Sequence, residues 1–255
     1  GMQSVTVFHT GGTDFFFGDR YFVGAVDHLL GVSRYTARQQ EVRYGRAVSV
    51  VHNGVDIERF RPMARDAGRR AGWGFSADSR ILISVGRLVG WKGLRNIISV
   101  LPNVAADVCY LVVGTGPEGA ALRAQAESLG VADRVHFAGR VEHADLPGVL
   151  SEADLYVQPS IGEEAFGISV AEAMACGLPV VASRNGGLPE VVAEGETGWL
   201  AAPGDPTAWT TTLNEALSDG ARLRRMGEAA RRRVAEHFTW AATAAQLEKI
   251  VQSGR

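Results

Sequence analysis

Between residues 79 and 235, short apolar runs alternate with stretches in which apolar positions recur every three or four residues. The runs predict buried strands, the periodic stretches predict helices, and their alternation predicts parallel β-α units with both sheet faces covered. Strands are expected at Ile81–Val85, Val108–Val113, Val135–Phe137, Leu155–Gln158, Pro179–Ala182 and Trp199–Ala201. Helices are expected between them at Leu94–Leu101, Gly119–Leu129, His143–Ser151, Ser169–Cys176 and Pro189–Ala193. After Pro206 the pattern is wholly helical, through Trp209–Ser218, Ala221–Phe238 and Trp240–Val251. Residues 79–235 thus read as one complete doubly wound domain.

Residues 1–60 hold less. Strands are expected at Val5–His9, His28–Val32 and Val48–Val51, with helices around Asp19–Val26 and Arg34–Tyr44. A β-α-β unit needs about 30 residues, so this stretch makes roughly two, a partial Rossmann-like domain. Residues 61–78, with the Gly/Arg/Ala-rich Arg61–Gly74, read as an interdomain connection, and residues 236–255 as a terminal helix. The net charge of −2 supplies no bulk attraction to nucleic acid. No apolar run reaches the roughly 18 residues of a membrane span. Cys109 and Cys176 lack ligand spacing and read as small core residues in a reducing, cytoplasmic setting, so no metal is expected. Gly1 before Met2 has the look of a tag remnant, and no signal-peptide pattern follows it.

Chemistry concentrates in Gly-Glu-Glu-Ala-Phe-Gly-Ile-Ser-Val-Ala-Glu-Ala-Met-Ala-Cys-Gly-Leu-Pro-Val-Val, residues 162–181. A helix starting near Gly167 puts Glu172 inside it, with Glu164, Phe166 and Gly167 at its amide-rich mouth. Free N–H groups there suit a phosphate, and the carboxylates can accept hydrogen bonds from sugar hydroxyls. The plainer account is an amphipathic helix with a solvated acid at its start, since helix N-termini favour Glu. Arg87 and Lys92 follow the strand Ile81–Val85, on the carboxyl-end rim where open α/β sheets bind ligands. Fixed cations there stabilise the charge that gathers on a departing diphosphate. In isolation they are two surface cations flanking a turn.

Residues 162–181 resemble the Glu-x7-Glu signature of the retaining glycosyltransferases of family 4, with Glu164 and Glu172 as the matching pair. Glu163 is one residue out of register and is treated as a neighbour. Six further motifs follow the family's order: Gly-Val-Ser-Arg-Tyr-Thr (31–36), His-Asn-Gly-Val-Asp (52–56) with Phe60 and Pro62, Gly-Arg-Leu-Val-Gly-Trp-Lys-Gly (86–93), Val-Val-Gly-Thr-Gly-Pro-Glu (112–118), Phe-Ala-Gly-Arg-Val (137–141) and Asn-Gly-Gly-Leu-Pro-Glu (185–190). The resemblance implies an α/β, GT-B-like fold, here one complete Rossmann-like domain plus a partial N-terminal one, with the last helix crossing back to brace the first part. It implies that Arg87 and Lys92 contact the donor diphosphate, Glu172 the ribose and Glu164 the transferred sugar. It places the 137–141 loop, with Arg140 and Val141, near the nucleotide base, and His9 in the cleft in a positional or electrostatic role. The family's first several β-α units, including a glycine-rich loop, have no counterpart here.

Gly114–Gly119 also matches G-x-G-x-x-G, the dinucleotide fingerprint. The acid that fingerprint needs about 20 residues on, after a second strand, is missing; Arg134-Val135-His136-Phe137 stands there. The glycines therefore read as a tight strand-to-helix turn with Pro117 near the first helical position. The Arg-rich stretch 222–233 reads as a solvated helix face, because Glu228 and Glu236 interleave and Leu223, Met226, Ala230 and Val234 supply a core stripe. Its other reading is an anionic membrane contact beside a lipid-linked acceptor, which would make the protein peripheral at the inner membrane face. His28, His52, His136, His143 and His237 show no cluster and are assigned no chemistry.

The expected activity is transfer of a sugar from a nucleoside diphosphate sugar to a hydroxyl acceptor with retained anomeric configuration, without a cofactor. The alternatives are a non-catalytic nucleotide-sugar-binding module and, less favoured, an NAD-dependent oxidoreductase. Strand Val5–His9 and the aromatics Phe15, Phe16, Phe17, Tyr21 and Phe22 lead to the expectation of self-association, or of a partner chain, through residues 2–30.

Overall fold

Val-Cys-Tyr-Leu-Val-Val, the strand β5 (Val108–Val113), is buried at every position, as a strand covered on both faces must be. It lies inside a six-stranded, all-parallel sheet of order β6-β5-β4-β7-β8-β9. The other strands are β4 (Arg80–Val85), β6 (Val135–Gly139), β7 (Leu155–Gln158), β8 (Val180–Ser183) and β9 (Gly198–Ala201). The computed structural model describes residues 3–9 and 23–253.

Side chains alternate across the sheet. Ile81 and Ile83 join Leu111, Val113, Tyr156 and Val180 on one face, packed on α6 (Ile168–Ala175) and α9 (Gly220–His237). Leu82, Tyr110, Val112 and Val157 face the other way, onto α3 (Leu94–Val100) and α8 (Pro206–Leu217). The strand order reverses between β4 and β7, and at such a switch point the loops leaving the two carboxyl ends diverge and open a crevice.

A second parallel sheet, β1-β2-β3, comprises Val5–Phe8, His28–Gly31 and Ser49–Val50. Helix α1 (Arg34–Tyr44) follows β2, with Ser33 as its side-chain N-cap and Gly45 closing it in the left-handed conformation. The helix expected at Asp19–Val26 falls partly outside the described residues, of which 23–25 are helical. The aromatic run from Phe15 to Phe22 lies wholly outside them. Edge strand β1 leaves Val5 and Val7 exposed.

The stretch expected to be a plain connection contains a helix, α2 (Ala67–Gly72), N-capped by Asp66. Its Arg70 enters the six-stranded domain and donates to the carbonyl of Glu152 at 2.6 Å. Arg70 Nε also lies 3.6 Å from Glu152 Oε2, an ion pair beyond hydrogen-bond length. Glu152 is wholly buried and accepts from the amide of Asp66 at 2.6 Å. The Gly/Arg/Ala composition resembled a linker because it has no apolar stripe. The helix is held by buried charge and by its cap.

Other departures are small and mark loop ends. The helix expected from His143 is α5 (Leu146–Leu150), so residues 143–145 precede it. The stretch 189–193 holds the shorter α7 (Leu188–Val191). Pro117 precedes α4 (Gly119–Ser128), whose N-cap is Glu118. The 222–233 arginines are less solvated than expected. Arg231 donates to Ala175 O at 2.6 Å, and Arg233 donates to the carbonyls of Glu190 and Val191. Among the described residues no helix is long and apolar enough to cross a membrane.

The final helix, α10 (Trp240–Ser253), runs beside the segment that follows β3. Gln246 Oε1 accepts from the amide of His52, and Thr243 Oγ1 donates to its carbonyl. The amide of Val55 bonds Phe238 O at 2.8 Å.

Removing Glu152 takes one of two carboxylates from the buried Arg70, Asp154 Oδ2 remaining at 3.5 Å, and leaves the Asp66 amide without its acceptor. Glu152→Ala is therefore expected to destabilise the fold by about 1–3 kcal/mol, read from urea unfolding. A shift within experimental error would show that the strap holding α2 contributes nothing.

Candidate active site

Loops from the carboxyl ends of β4, β5, β6, β7 and β8 converge at the switch point. The β4 loop carries Arg87 and a 3-10 turn, Gly90–Lys92. It is knitted to the β7 loop through Trp91 O, which accepts from the amides of Ile161 and Gly162 at 2.8 and 3.0 Å. Lys92 is thereby brought to Glu164, 72 positions away in sequence, with Nζ 2.6 Å from Oε1. The same oxygen accepts from Gln158 Nε2 at 2.8 Å and Ser160 Oγ at 2.6 Å. Glu164 is 7% exposed. Its carboxylate is buried yet supplied with three donors, as a charge taken out of water requires. The Lys92 ammonium also lies 4.5 Å from the Trp91 ring centroid, a cation–π contact.

The β8 loop fixes the backbone of Glu164. Gly187 N donates to Glu164 O at 2.7 Å, and Asn185 Nδ2 donates to Gly162 O at 2.8 Å. Gly186 has φ +57, and a Cβ there would come within 2.2 Å of Glu164 O. Only glycine permits this approach. Gly167, with φ +99, ends the β7 loop and caps α6, which carries Glu172 inward.

Glu172 is buried and belongs to a second cluster. Its Oε1 pairs with His143 Nε2 at 2.8 Å, while His143 Nδ1 lies 3.2 Å from Arg59 Nη1. Burial pushes the Glu172 carboxyl above its ordinary pKa, and the His143 hydrogen bond opposes that rise. Arg87, Arg140 and Val141 line a recess of about 190 Å³ with Gly114, Thr115 and Leu146. Arg87 is exposed, and its guanidinium has no hydrogen-bonded or ionic partner among the described residues. Arg140 pairs with Glu142 at 3.1 Å, both exposed.

Phe166 and His9 complete the expected set. The Phe166 side chain is buried against His52 and Phe238, at 5.9 and 5.5 Å between ring centroids, so only its backbone is left for a ligand. His9 follows β1 at the sheet end that faces the Glu164 loop, is exposed, and makes no bond to the Glu164 cluster. The Gly114–Gly119 turn is bonded to the β4 loop, through Leu88 N to Thr115 O and Glu118 N to Leu88 O, both 3.0 Å. Among the described residues no cluster of His, Cys, Asp or Glu could hold a metal ion.

Sequence reasoning passed over His52, His143, Glu163 and Glu190. Glu190, on α7, accepts from the amides of Arg34 and Tyr35 at 2.8 and 2.9 Å, at the mouth of α1. His52 Nε2 approaches it at 3.5 Å. Thr36 Oγ1 donates to Ala165 O, and Glu163 hydrogen-bonds the Tyr35 phenol, whose pKa burial and that carboxylate push up to about 12. These contacts join the two sheets beside the Glu164 loop. The one signal in the sequence was that Asn-Gly-Gly-Leu-Pro-Glu and Gly-Val-Ser-Arg-Tyr-Thr stand out together.

Two parallel sheets whose carboxyl ends meet at this crevice are the layout of a two-domain, Rossmann-like α/β fold. Residues 68–233 match the model of the family described as glycosyl transferases group 1, and the chain belongs to that family. It is 34% identical over 241 residues to a GDP-mannose-dependent alpha-(1-6)-phosphatidylinositol monomannoside mannosyltransferase of Mycolicibacterium smegmatis, covering 90% of this chain and 63% of that one. It is 37% identical over 240 residues to a D-inositol 3-phosphate glycosyltransferase of Streptomyces avermitilis, covering 88% of this chain and 51% of that one. The chain thus spans about half to two thirds of the length of these curated relatives. In structure it resembles Anabaena HepE in complex with UDP and glucose, with a TM-score of 0.86, 26% identity, 98% of this chain and 71% of that chain. The architecture is GT-B, and the family membership removes the oxidoreductase reading of Gly114–Gly119.

Burial alone would raise the Glu190 pKa, but His52 and the Arg34 and Tyr35 amides donate to the carboxylate and hold it at about 2, below the ordinary 4.5. A depressed folded-state pKa stabilises above the unfolded value and loses that contribution as pH falls through the folded one. Glu190→Gln is therefore expected to be less stable than the parent at pH 7, with the gap closing between about pH 4.5 and 2. Urea unfolding across that range checks it; a gap unchanged down to pH 3 contradicts it.

Proposed function

We propose that the switch-point crevice binds a nucleoside diphosphate sugar and serves its transfer to a hydroxyl acceptor with retained anomeric configuration. The observation that carries this reading is the Lys92–Glu164 contact. A cation suited to a diphosphate and a buried acceptor suited to sugar hydroxyls stand 2.6 Å apart at the carboxyl end of the sheet. Support also comes from the relatives, one named for GDP-mannose and one solved with UDP and glucose.

In this reading the diphosphate lies along the β4 loop, and negative charge grows on it as the anomeric carbon–oxygen bond breaks. Arg87 and Lys92 stabilise that charge more in the transition state than in the ground state, which is what lowers the barrier. Glu164 accepts from hydroxyls of the transferred sugar and fixes its orientation. Glu172 accepts from the ribose, and Arg140 and Val141 flank the base. The acceptor oxygen attacks from the face the leaving group departs, and its proton passes to the leaving phosphate oxygen, so the anomeric configuration is kept. His9, at the opposing sheet end, supplies position or field to the reacting sugar.

Calorimetric titration with GDP, UDP, GDP-mannose and UDP-glucose tests the assignment. Arg87→Ala and Lys92→Ala should each weaken the bare nucleotide by about 1.5–3 kcal/mol, the range for hydrogen bonds to charged groups. Glu172→Ala should weaken nucleotide and sugar nucleotide alike, whereas Glu164→Ala should weaken mainly the sugar nucleotide. Equal losses for both ligands at Glu164, or intact affinity in both cation variants, would overturn it.

A further inference from the structure

The segment His52–Phe60 has no part in the transfer chemistry above, yet two of its side chains end on a residue of the other domain. Arg59 Nη1 lies 3.2 Å from His143 Nδ1, and the buried Phe60 ring lies 4.9 Å from the His143 ring. Arg59 is itself set by Asp56, whose Oδ1 accepts from the amides of Glu58 and Arg59 at 3.1 Å. A guanidinium can only donate, so His143 Nδ1 accepts and the ring proton resides on Nε2. That Nε2–H points at Glu172 Oε1, 2.8 Å away. Oε2 of the same carboxylate has no protein partner among the described residues.

We propose that His143, fixed in one tautomer by Arg59 and in one plane by Phe60, is a positioning residue for ribose recognition. By occupying Oε1 of Glu172 it presents Oε2 to a ribose hydroxyl. The inference rests on the donor-site reading above, in which Glu172 faces the ribose. Three physical steps support it. A carboxylate with one oxygen pinned loses a rotor that a free one must surrender on binding, so the ligand meets a preorganised acceptor. The pin cannot turn into an acceptor, because Arg59 forbids the other tautomer. The Phe60 ring beside the imidazole restricts its rotation, so the pin does not wander. The Arg59–Phe60 segment belongs to the stretch that leads out of the first sheet, so the ribose contact is also set by how that segment seats.

The test is calorimetry on the full chain with whichever of GDP or UDP binds tighter, alongside its 2′-deoxy and 3′-deoxy forms. His143→Ala is expected to weaken the ribonucleotide on the order of tenfold, the scale of one hydrogen bond to a charged group. It should leave the deoxy form that lacks the contacted hydroxyl unchanged, so that discrimination between the two collapses. His143→Gln, whose side-chain amide can still donate to Oε1, should restore most of it. Thermal unfolding accompanies each variant. Equal losses for ribo and deoxy forms would mark His143 as merely structural and overturn the inference, as would unchanged discrimination. If Glu172→Ala abolishes discrimination and His143→Ala does not, this inference fails while the donor-site reading stands. If the unaltered chain binds neither nucleotide, the donor-site reading falls and takes this inference with it.

Discussion

A carboxylate moved out of water loses several kcal/mol of hydration unless donors replace it, and Glu164 concentrates that requirement on one oxygen. Lys92, Gln158 and Ser160 all donate to Oε1, so the β4 loop and the end of β7 with its following loop must meet at one point. Much of the surrounding architecture follows from that convergence. The β7 strand ends in Gln158, the amides of Ile161 and Gly162 tie the β7 loop to Trp91, and the β8 loop approaches the Glu164 backbone through Gly186 and Gly187. The parallel sheet supplies the common origin. Its order brings β4 and β7 side by side, and their loops leave in opposite directions.

The same loop region joins the first sheet to the second. Glu190 caps α1 across the boundary, Glu163 reaches Tyr35, and Thr36 bonds Ala165 O. A residue before Glu164 and one after it are thus tied to α1, so displacement of α1 would be felt at the Lys92–Glu164 pair. These clasps are polar, and beside them Val32, Val55 and Phe60 pack into the core of the six-stranded domain, so the boundary is held by polar and apolar contact together.

Much of this was legible because its physics is local. β4, β5 and β7 announce themselves as apolar runs too short for helices, and the Glu164–Glu172 spacing across a glycine-started helix is visible in nine residues. What was not legible is contact between distant segments. Lys92 was read as a diphosphate cation, and nothing in the linear sequence shows that it rests on Glu164. His143 and Glu172 are 29 positions apart, and their meeting depends on His143 preceding α5 instead of lying within it. The helix mouth at Phe166 was legible, whereas the packing of its side chain on His52 and Phe238, 114 and 72 positions away, was not. Helix α2 was invisible for the opposite reason: its cap residue Asp66 and its Arg70 are held by Glu152 and Asp154, which lie in a distant segment.

The central claim is that Lys92 and Glu164 act as one unit, each setting the other's place in the donor site. A double-mutant cycle on sugar-nucleotide affinity, using Lys92→Ala, Glu164→Ala and the pair, measures this directly. The account predicts a coupling of at least about 1 kcal/mol, because each single change frees a charged partner that the ligand then meets differently. Losses that add within about 0.3–0.5 kcal/mol, the scatter of independent sites, would contradict it.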